Sequence, residues 1–475
     1  MTRAEVLLAA AATIAAAAYF EPFVGYWDGY DYLACMVEGR PSGLLLGRPC
    51  FVFLGWLVAK AWAACGGSLE TVHVPVKLLV FACAAPFVVV AHRLFLVLGV
   101  GPVVARRAAL LLAASPVLAS MTSQVLTEPP MLLVGYVGLL WWARGYAANS
   151  LSRVALGGAL VGVAFGFREQ AVLLLPLALA LALLAPSRRV LLTVVGGAAC
   201  ALTAGAPPAW LAISDPAYVA NARDWLDVMS RERGLHPLGA DQAAIWFTWL
   251  VASQPIAVWF GPAGMVRLVR FARRTAVARP GAVFAGVSLV LLALFGTFQD
   301  LVHSPRYLLF GAPGLAVAGA IGLEPWARRL GAVRFDRGFS LALCATLVVG
   351  YAVQHDERRL HHKAGGYAMA TLDRMPRGAV LIVGQLAPLV HYLEAARGDP
   401  GRWELIEPGW AWPRGRLGAV IDAHLALDRA VYIDLDPLTW LGARMHEELA
   451  EWATVRERYR VERAEGGLFR VRSGT

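Results

Sequence analysis

The chain has 475 residues, of which 58% are hydrophobic and only 16% charged, and a mean hydropathy of +0.57. Soluble domains average about 45–50% apolar and about 25% charged residues, so this composition excludes an ordinary soluble multi-domain protein. The net charge of +10 does not point to nucleic acid, because the basic residues sit in short segments between apolar blocks, where membrane topology places them.

In chain order, apolar blocks fall at roughly 4–20, 74–98, 105–122, 129–143, 154–167, 170–186, 190–213, 243–260, 281–297, 307–323 and 339–355. Blocks of about 15–25 residues suffice to cross about 30 Å of hydrocarbon as a helix, which predicts about eleven spans. The first, Met1–Phe20, also has the outline of a secretory signal, and an uncleaved first helix is the preferred reading. The connecting segments alternate in character. Arg93 with Arg106 and Arg107, Arg144 with Arg153, Arg188 with Arg189, the cluster from Arg267 to Arg279, and Arg328 to Arg337 form a basic set expected in the cytoplasm. Residues 21–73, 123–128, 168–169, 214–242, 298–306 and the tail are then expected outside. Residues 49–65 are apolar enough to span but would reverse the parity of every later loop, and Lys60 interrupts them. They are expected to lie at the membrane surface.

Past residue 355 the composition changes. Strands at 379–384, 403–406 and 430–436 alternate with helices reaching 396, over 416–427 and over 438–456, and a hairpin of 459–463 with 468–471 closes the chain. The expected architecture is mainly α: a polytopic transmembrane domain with juxtamembrane helices over 1–355, then a small extracytoplasmic α/β domain over 356–475. The first turn of that domain, Val383-Gly384-Gln385-Leu386-Ala387, lacks the glycine spacing that admits a pyrophosphate. Cys35 and Cys50 share the first outer loop, where a disulfide could persist.

Candidate chemistry collects on the outer side. Asp28 and Asp31 lie three residues apart among aromatic rings in Gly25-Tyr26-Trp27-Asp28-Gly29-Tyr30-Asp31-Tyr32, a spacing that places both on one face of a helical turn. An ordinary capped helix start in an aromatic belt explains the same residues equally well. Glu128 opens an apolar block at Thr127-Glu128-Pro129-Pro130, where stabilising a helix N-terminus is a sufficient role on its own. Arg168, outside against the positive-inside trend, needs an anion, either its neighbour Glu169 or a ligand phosphate. Asp300, His303, Arg306 and Tyr307 stand at another outer helix end, and Arg40 and Arg48 lie in the first loop. Arginine keeps its charge and presents a planar fork that suits phosphate oxygens.

These motifs resemble the GT-C class of polytopic glycosyltransferases, especially bacterial relatives of protein O-mannosyltransferases and of the transferase that adds aminoarabinose to lipid A. The resemblance rests on the acidic pair Asp28 and Asp31 after the first helix, Arg48-Pro49, Ser115-Pro116 followed by Glu128, Arg168 between two helices, and Arg306-Tyr307-Leu308 with Pro313 downstream. The Asp-x-x-Asp spacing departs from the adjacent Asp-Glu of many relatives and leaves open which aspartate is the base.

The resemblance implies single displacement with inversion on the outer face of a bacterial cytoplasmic membrane, from a polyprenyl-phosphate-linked sugar to an envelope acceptor that is a lipid, glycan or protein. It implies Asp28 as first and Asp31 as second candidate base, with Arg168 and Arg306 for the leaving phosphate. Glu128 and His303 would orient acceptor or sugar, with Arg48, Asp300 and Tyr307 as further binding residues. A divalent cation such as Mg or Mn, used by some members, would be shared by Asp28 and Glu128. The alternatives are a transporter or lipid flippase, which predicts charges buried along a mid-helix path, and a structural membrane subunit.

Overall fold

The structure is a computed structural model and describes residues 1–21, 24, 27–43, 46–232, 239–295, 305–353, 372–383, 387–406, 417–434, 455–464 and 468–474. Its contacts fall into two compact units. One comprises residues 1–21, 41–54 and 77–354; the other comprises 22–40, 55–76 and 355–475. Residues 22–40 and 55–76 thus group with the tail.

The larger unit is helical. Helix α1 (Arg3–Ala18) starts at a capping box, in which Thr2 and Glu5 satisfy each other's backbone amides. Glu5 then receives Arg93 of α5 (Ala84–Val97) through Nε at 2.6 Å and Nη2 at 3.0 Å. At the other end of α1, the Tyr19 hydroxyl donates to the Leu347 carbonyl at 2.6 Å and its ring meets Tyr351 edge-on. The chain continues through α6 (Pro102–Ala113), α7 (Pro116–Thr122), α8 (Glu128–Ala147), α9 (Leu151–Phe167), α10 (Leu174–Leu181), α11 (Arg189–Ser214) and α12 (Pro216–Glu232). Then follow α13 (Ala240–Ser253), α14 (Pro255–Arg274), α15 (Arg279–Phe295), α16 (Ala312–Leu330) and α17 (Ala332–Val353). Between α1 and α5 in sequence come α2 (Trp27–Glu38), which belongs to the smaller unit, and α3 (Pro49–Ala64) and α4 (His73–Phe81), whose residues are divided between the two units.

Among the described residues, three helical stretches are long and apolar enough to cross a membrane alone: Leu69–Val97, Arg189–Ser214 and Ala276–Leu294. The expected single spans over 105–122 and 243–260 are instead broken. Helices α6 and α7 bend by 58° at Ser115, and α13 and α14 by 99° at Gln254. In both cases a proline, Pro116 or Pro255, opens the second helix, because it has no amide to continue the hydrogen-bond ladder of the first. Counting each bent pair as one gives up to five spans; the remaining expected blocks form shorter or less apolar helices. Helix α3 has 16 residues, about 24 Å of helix, short of the roughly 30 Å hydrocarbon thickness.

Between apolar helices in lipid there is little hydrophobic drive, so small residues that admit close backbone approach carry the packing. Gly158 and Gly162 in α9 do this against α11: a Cβ on Gly158 would stand 2.0 Å from the Gly196 carbonyl, and one on Gly162 2.4 Å from the Cys200 carbonyl. Gly264 of α14 stands equally close to α16, with 1.7 Å left to the Ala318 carbonyl. Gly166 faces the Cys50 sulfur, and no disulfide joins Cys35 to Cys50. The disulfide allowed by the sequence is therefore absent: Cys50 packs on Gly166, and Cys35 is buried in α2.

The smaller unit holds a five-stranded sheet in the order β2-β1-β3-β5-β4, with β1 (Val380–Ile382), β2 (Glu404–Ile406), β3 (Val431–Asp434), β4 (Tyr459–Arg463) and β5 (Leu468–Ser473). β1 pairs parallel with β2 and β3, β5 antiparallel with β3, and β4 closes the hairpin with β5. Parallel neighbours require crossovers, supplied by α18 (Ala387–Arg397) and α19 (Leu417–Ala426). Val380, Ile382, Ile406, Ile421, Val431, Ile433 and Val471 form its core. These strands and helices fall where the sequence pattern predicts them, except the expected helix over 438–456, which lies almost wholly outside the described residues.

The glycine packing is testable by one contrast. Gly158→Ala forces a methyl into the α11 backbone and should lower unfolding stability by about 1–3 kcal/mol. Gly197→Ala meets nothing within 4 Å and should be neutral or gain up to about 1 kcal/mol of helix propensity. Equal melting temperatures for the two variants in detergent would sink this account.

Candidate active site

Within the helical unit, three segment ends converge on one carboxylate. Glu128 is the first residue of α8, placed there because Pro129 and Pro130 lack the amides that a preceding turn would need. Arg168 ends α9 in an extended conformation before the short 3-10 helix Glu169–Leu173. Arg306 and Tyr307 belong to the 3-10 helix Pro305–Phe310 that leads into α16.

The Glu128 side chain is fully buried, and its Oε1 lies 2.8 Å from Arg168 Nη1 and 3.3 Å from Arg306 Nε. Arg168, 1% exposed, also donates from Nη1 to the Thr127 hydroxyl at 2.9 Å and from Nη2 to the Tyr307 hydroxyl at 3.3 Å. Both guanidinium groups stand over the Tyr307 ring, at 5.5 and 5.3 Å from its centroid. Thr127 completes the set by donating to Glu128 Oε2 at 3.3 Å. A buried charge persists only when paired and hydrogen-bonded, and here each arginine is held by the same anion.

A second pair adjoins the first through the chain itself. Glu169, next to Arg168, accepts from Arg48 Nη2 at 3.4 Å. Arg48 is also buried and has a left-handed backbone, with φ of 46° directly after Gly47 at 75°. For a residue with a Cβ this costs about 1–3 kcal/mol, and such strain concentrates at functional positions. The partner of Arg168 is thus Glu128, while its sequence neighbour Glu169 serves Arg48. Among the described residues, three guanidinium groups and two carboxylates are thus brought together.

The remaining expected residues are placed as follows. Asp28 and Asp31 lie in the first turns of α2, in the smaller unit, with Asp28 buried and Asp31 half-buried. Asp300 and His303 lie outside the described residues. Among the described residues no three His, Cys, Asp or Glu side chains gather as a metal site. Glu128 is a poor ligand for the cation it was expected to share, because its Oε1 already faces two guanidinium groups and a divalent ion there would meet like charge.

Sequence reasoning overlooked Thr127 and a neighbouring buried cluster. Lys77 of α4 is 1% exposed, donates to the Glu21 carbonyl and stands 5.0 Å over the Phe20 ring. The Glu21 carboxylate accepts from Gln124 at 3.4 Å, only three residues before Thr127. A lone lysine within an apolar block was the available signal, since an ionisable residue there is functional or structurally paired by default.

The described helical unit and its sheet-bearing companion can be compared with known structures. No family model and no curated protein matches the sequence. Solved structures do. ArnT from Cupriavidus metallidurans in the apo state superposes with a TM-score of 0.64 at 13% identity, covering 98% of this chain and 97% of that one. ArnT bound to undecaprenyl phosphate gives 0.60 at 12% identity with the same coverage. The apo oligosaccharyltransferase of Archaeoglobus fulgidus gives 0.58 at 13% identity, over 99% of this chain and 74% of that one. This is the GT-C glycosyltransferase fold. At such identities the likeness establishes architecture, and the site must be argued from its own side chains.

The shared carboxylate makes a quantitative prediction. Glu128→Gln takes its anion from the buried Arg168 and should destabilise the protein by about 3–5 kcal/mol. Adding Arg168→Met should recover part of that loss in a double-mutant cycle. Strict additivity of the two changes in chemical unfolding would refute the pairing.

Proposed function

We propose that the chain is an inverting glycosyltransferase that moves a sugar from a polyprenyl-phosphate-linked donor to an envelope acceptor on the outer face of the bacterial cytoplasmic membrane. The observation that carries this reading is the convergence of Arg48, Arg168 and Arg306, with Glu128 and Glu169, at the ends of separate helical segments. Arginine forks match phosphate oxygens in geometry as well as charge. The fold supports the same class of donor, since ArnT binds undecaprenyl phosphate.

The chemistry follows from charge development. A lone pair on an acceptor oxygen or nitrogen forms a bond to the anomeric carbon as the bond from that carbon to the phosphate oxygen breaks. The bonding electrons leave on the lipid phosphate, which passes from a diester with one negative charge to a monoester that gains another. Arg168, Arg306 and Arg48 are assigned to that developing charge, where preorganised cations act most strongly. The acceptor's proton goes to a carboxylate, assigned to Asp28 first and Asp31 second. Tyr307 and Thr127 fix the arginine orientations, and Glu128 is assigned to holding the arginines. Asp300 and His303 remain candidates for contact with sugar or acceptor. The α/β domain is assigned to the extracytoplasmic side.

Two expectations test the assignment. Asp28→Asn should lower transfer by about 100- to 10,000-fold, the range of general-base contributions, in a protein that still inserts and folds. Mass spectrometry of envelope glycolipids and glycans, with and without each variant, provides the readout; wild-type product in both Asp28→Asn and Asp31→Asn would remove the catalytic assignment. Arg168→Ala and Arg306→Ala should each weaken undecaprenyl phosphate binding roughly 10- to 100-fold, the worth of a charge-assisted hydrogen bond. Unchanged titration curves in both would disprove the phosphate role.

A further inference from the structure

The smaller unit contains more than the sheet. Helix α2, which carries Asp28 and Asp31, packs along α18, the crossover between β1 and β2. Three features hold α18 in place, one against α2 itself and two against the 3-10 helix Leu69–Thr71. Tyr392 of α18 is 2% exposed, and its ring lies 6.1 Å from that of Tyr30, between the two aspartates in sequence. The Tyr392 hydroxyl donates to the Leu69 carbonyl at 2.8 Å. One turn on, Arg397 grips Glu70 with Nε at 3.1 Å and Nη2 at 3.4 Å. His391, beside Tyr392, lies within electrostatic range of Asp31, Glu38 and Arg40.

These contacts differ in kind from ordinary apolar packing. A two-pronged arginine–carboxylate pair fixes both distance and rotation, and burial raises the Tyr30 and Tyr392 phenols well above their usual range, so both stay neutral donors. Leu389, Val390 and Leu393 of α18 are buried, and Glu394 ties the helix to the start of β2, its Oε1 accepting from the Trp403 amide at 3.0 Å.

We propose that Tyr392 and Arg397 are positioning residues for the candidate base: through α18, the α/β domain sets the orientation of α2 and hence of the Asp28 carboxylate. The domain then has a role in the transfer step apart from any choice of acceptor. This inference rests on the glycosyltransferase reading and on Asp28 or Asp31 as base. A general base must sit within hydrogen-bond reach of the proton it takes, and a misplacement of about 1 Å can cost about 100-fold in rate. The arginine cluster is composed of other residues, so a loosened α18 should slow transfer without weakening the hold on phosphate.

The experiment uses full-length protein. Cells carrying Tyr392→Ala or Arg397→Glu should make about 10- to 100-fold less sugar-modified envelope product by mass spectrometry, while each purified variant binds undecaprenyl phosphate within about twofold of wild type. Tyr392→Phe, which removes only the hydroxyl, should fall between. Combining Arg397→Glu with Glu70→Arg should restore product, because the pair is re-formed with its charges exchanged. Wild-type product in Tyr392→Ala and Arg397→Glu overturns the proposal. So does a loss of phosphate binding in step with product, which marks general unfolding, or a charge exchange that restores nothing. Full product in both Asp28→Asn and Asp31→Asn would instead refute the underlying assignment of the base, whatever the α18 variants do.

Discussion

One carboxylate organises the helical unit. Glu128, fully buried at the start of α8, is held by Arg168 from the end of α9 and by Arg306 from the turn before α16. Removing charges from water is costly, and the cost is offset only where every partner is present with good geometry. The three segment ends are therefore constrained together, with Thr127 and the Tyr307 hydroxyl satisfying further donors and lone pairs. The Arg48–Glu169 pair adjoins them through the chain itself.

The backbone around this cluster serves the same end. Prolines 116, 129, 130 and 255 interrupt or open helices, so polar groups are delivered at helix ends rather than along helix flanks. Close packing of small residues, with Gly158 on Gly196 and Gly264 on Ala318, leaves the apolar bodies little freedom to shift. The left-handed backbone of Arg48 adds local strain that surrounding contacts must hold in place. Rigid helix bodies with charges confined to their ends make a preorganised electrostatic site, and preorganisation is what lets fixed charges favour a transition state over a ground state.

The grouping of α2 with the sheet changes how the tail is understood. By composition the chain divides once, near residue 355. By contacts, residues 22–40 and 55–76 belong with the tail, and Tyr392 and Arg397 supply directional bonds to that loop region. A domain recruited only for recognition would need no such tie to the helix bearing the candidate base.

The amino-acid sequence by itself determined the membrane class, the strand–helix order of the tail and most of the charged residues worth attention. Apolar block length and strand alternation are local signals, legible because hydrocarbon thickness and strand period act on neighbouring residues. It did not determine where spans break, since Ser115-Pro116 and Gln254-Pro255 sit inside blocks whose mean hydropathy is unaffected by the loss of one amide. Nor did it determine pairing. Arg168 lies beside Glu169 in the chain yet pairs with Glu128, 40 residues away, because backbone direction at the end of α9 sends the two side chains to different partners. Which charge meets which is a long-range property, set by helix packing that no local pattern encodes, and only the tertiary structure decided it.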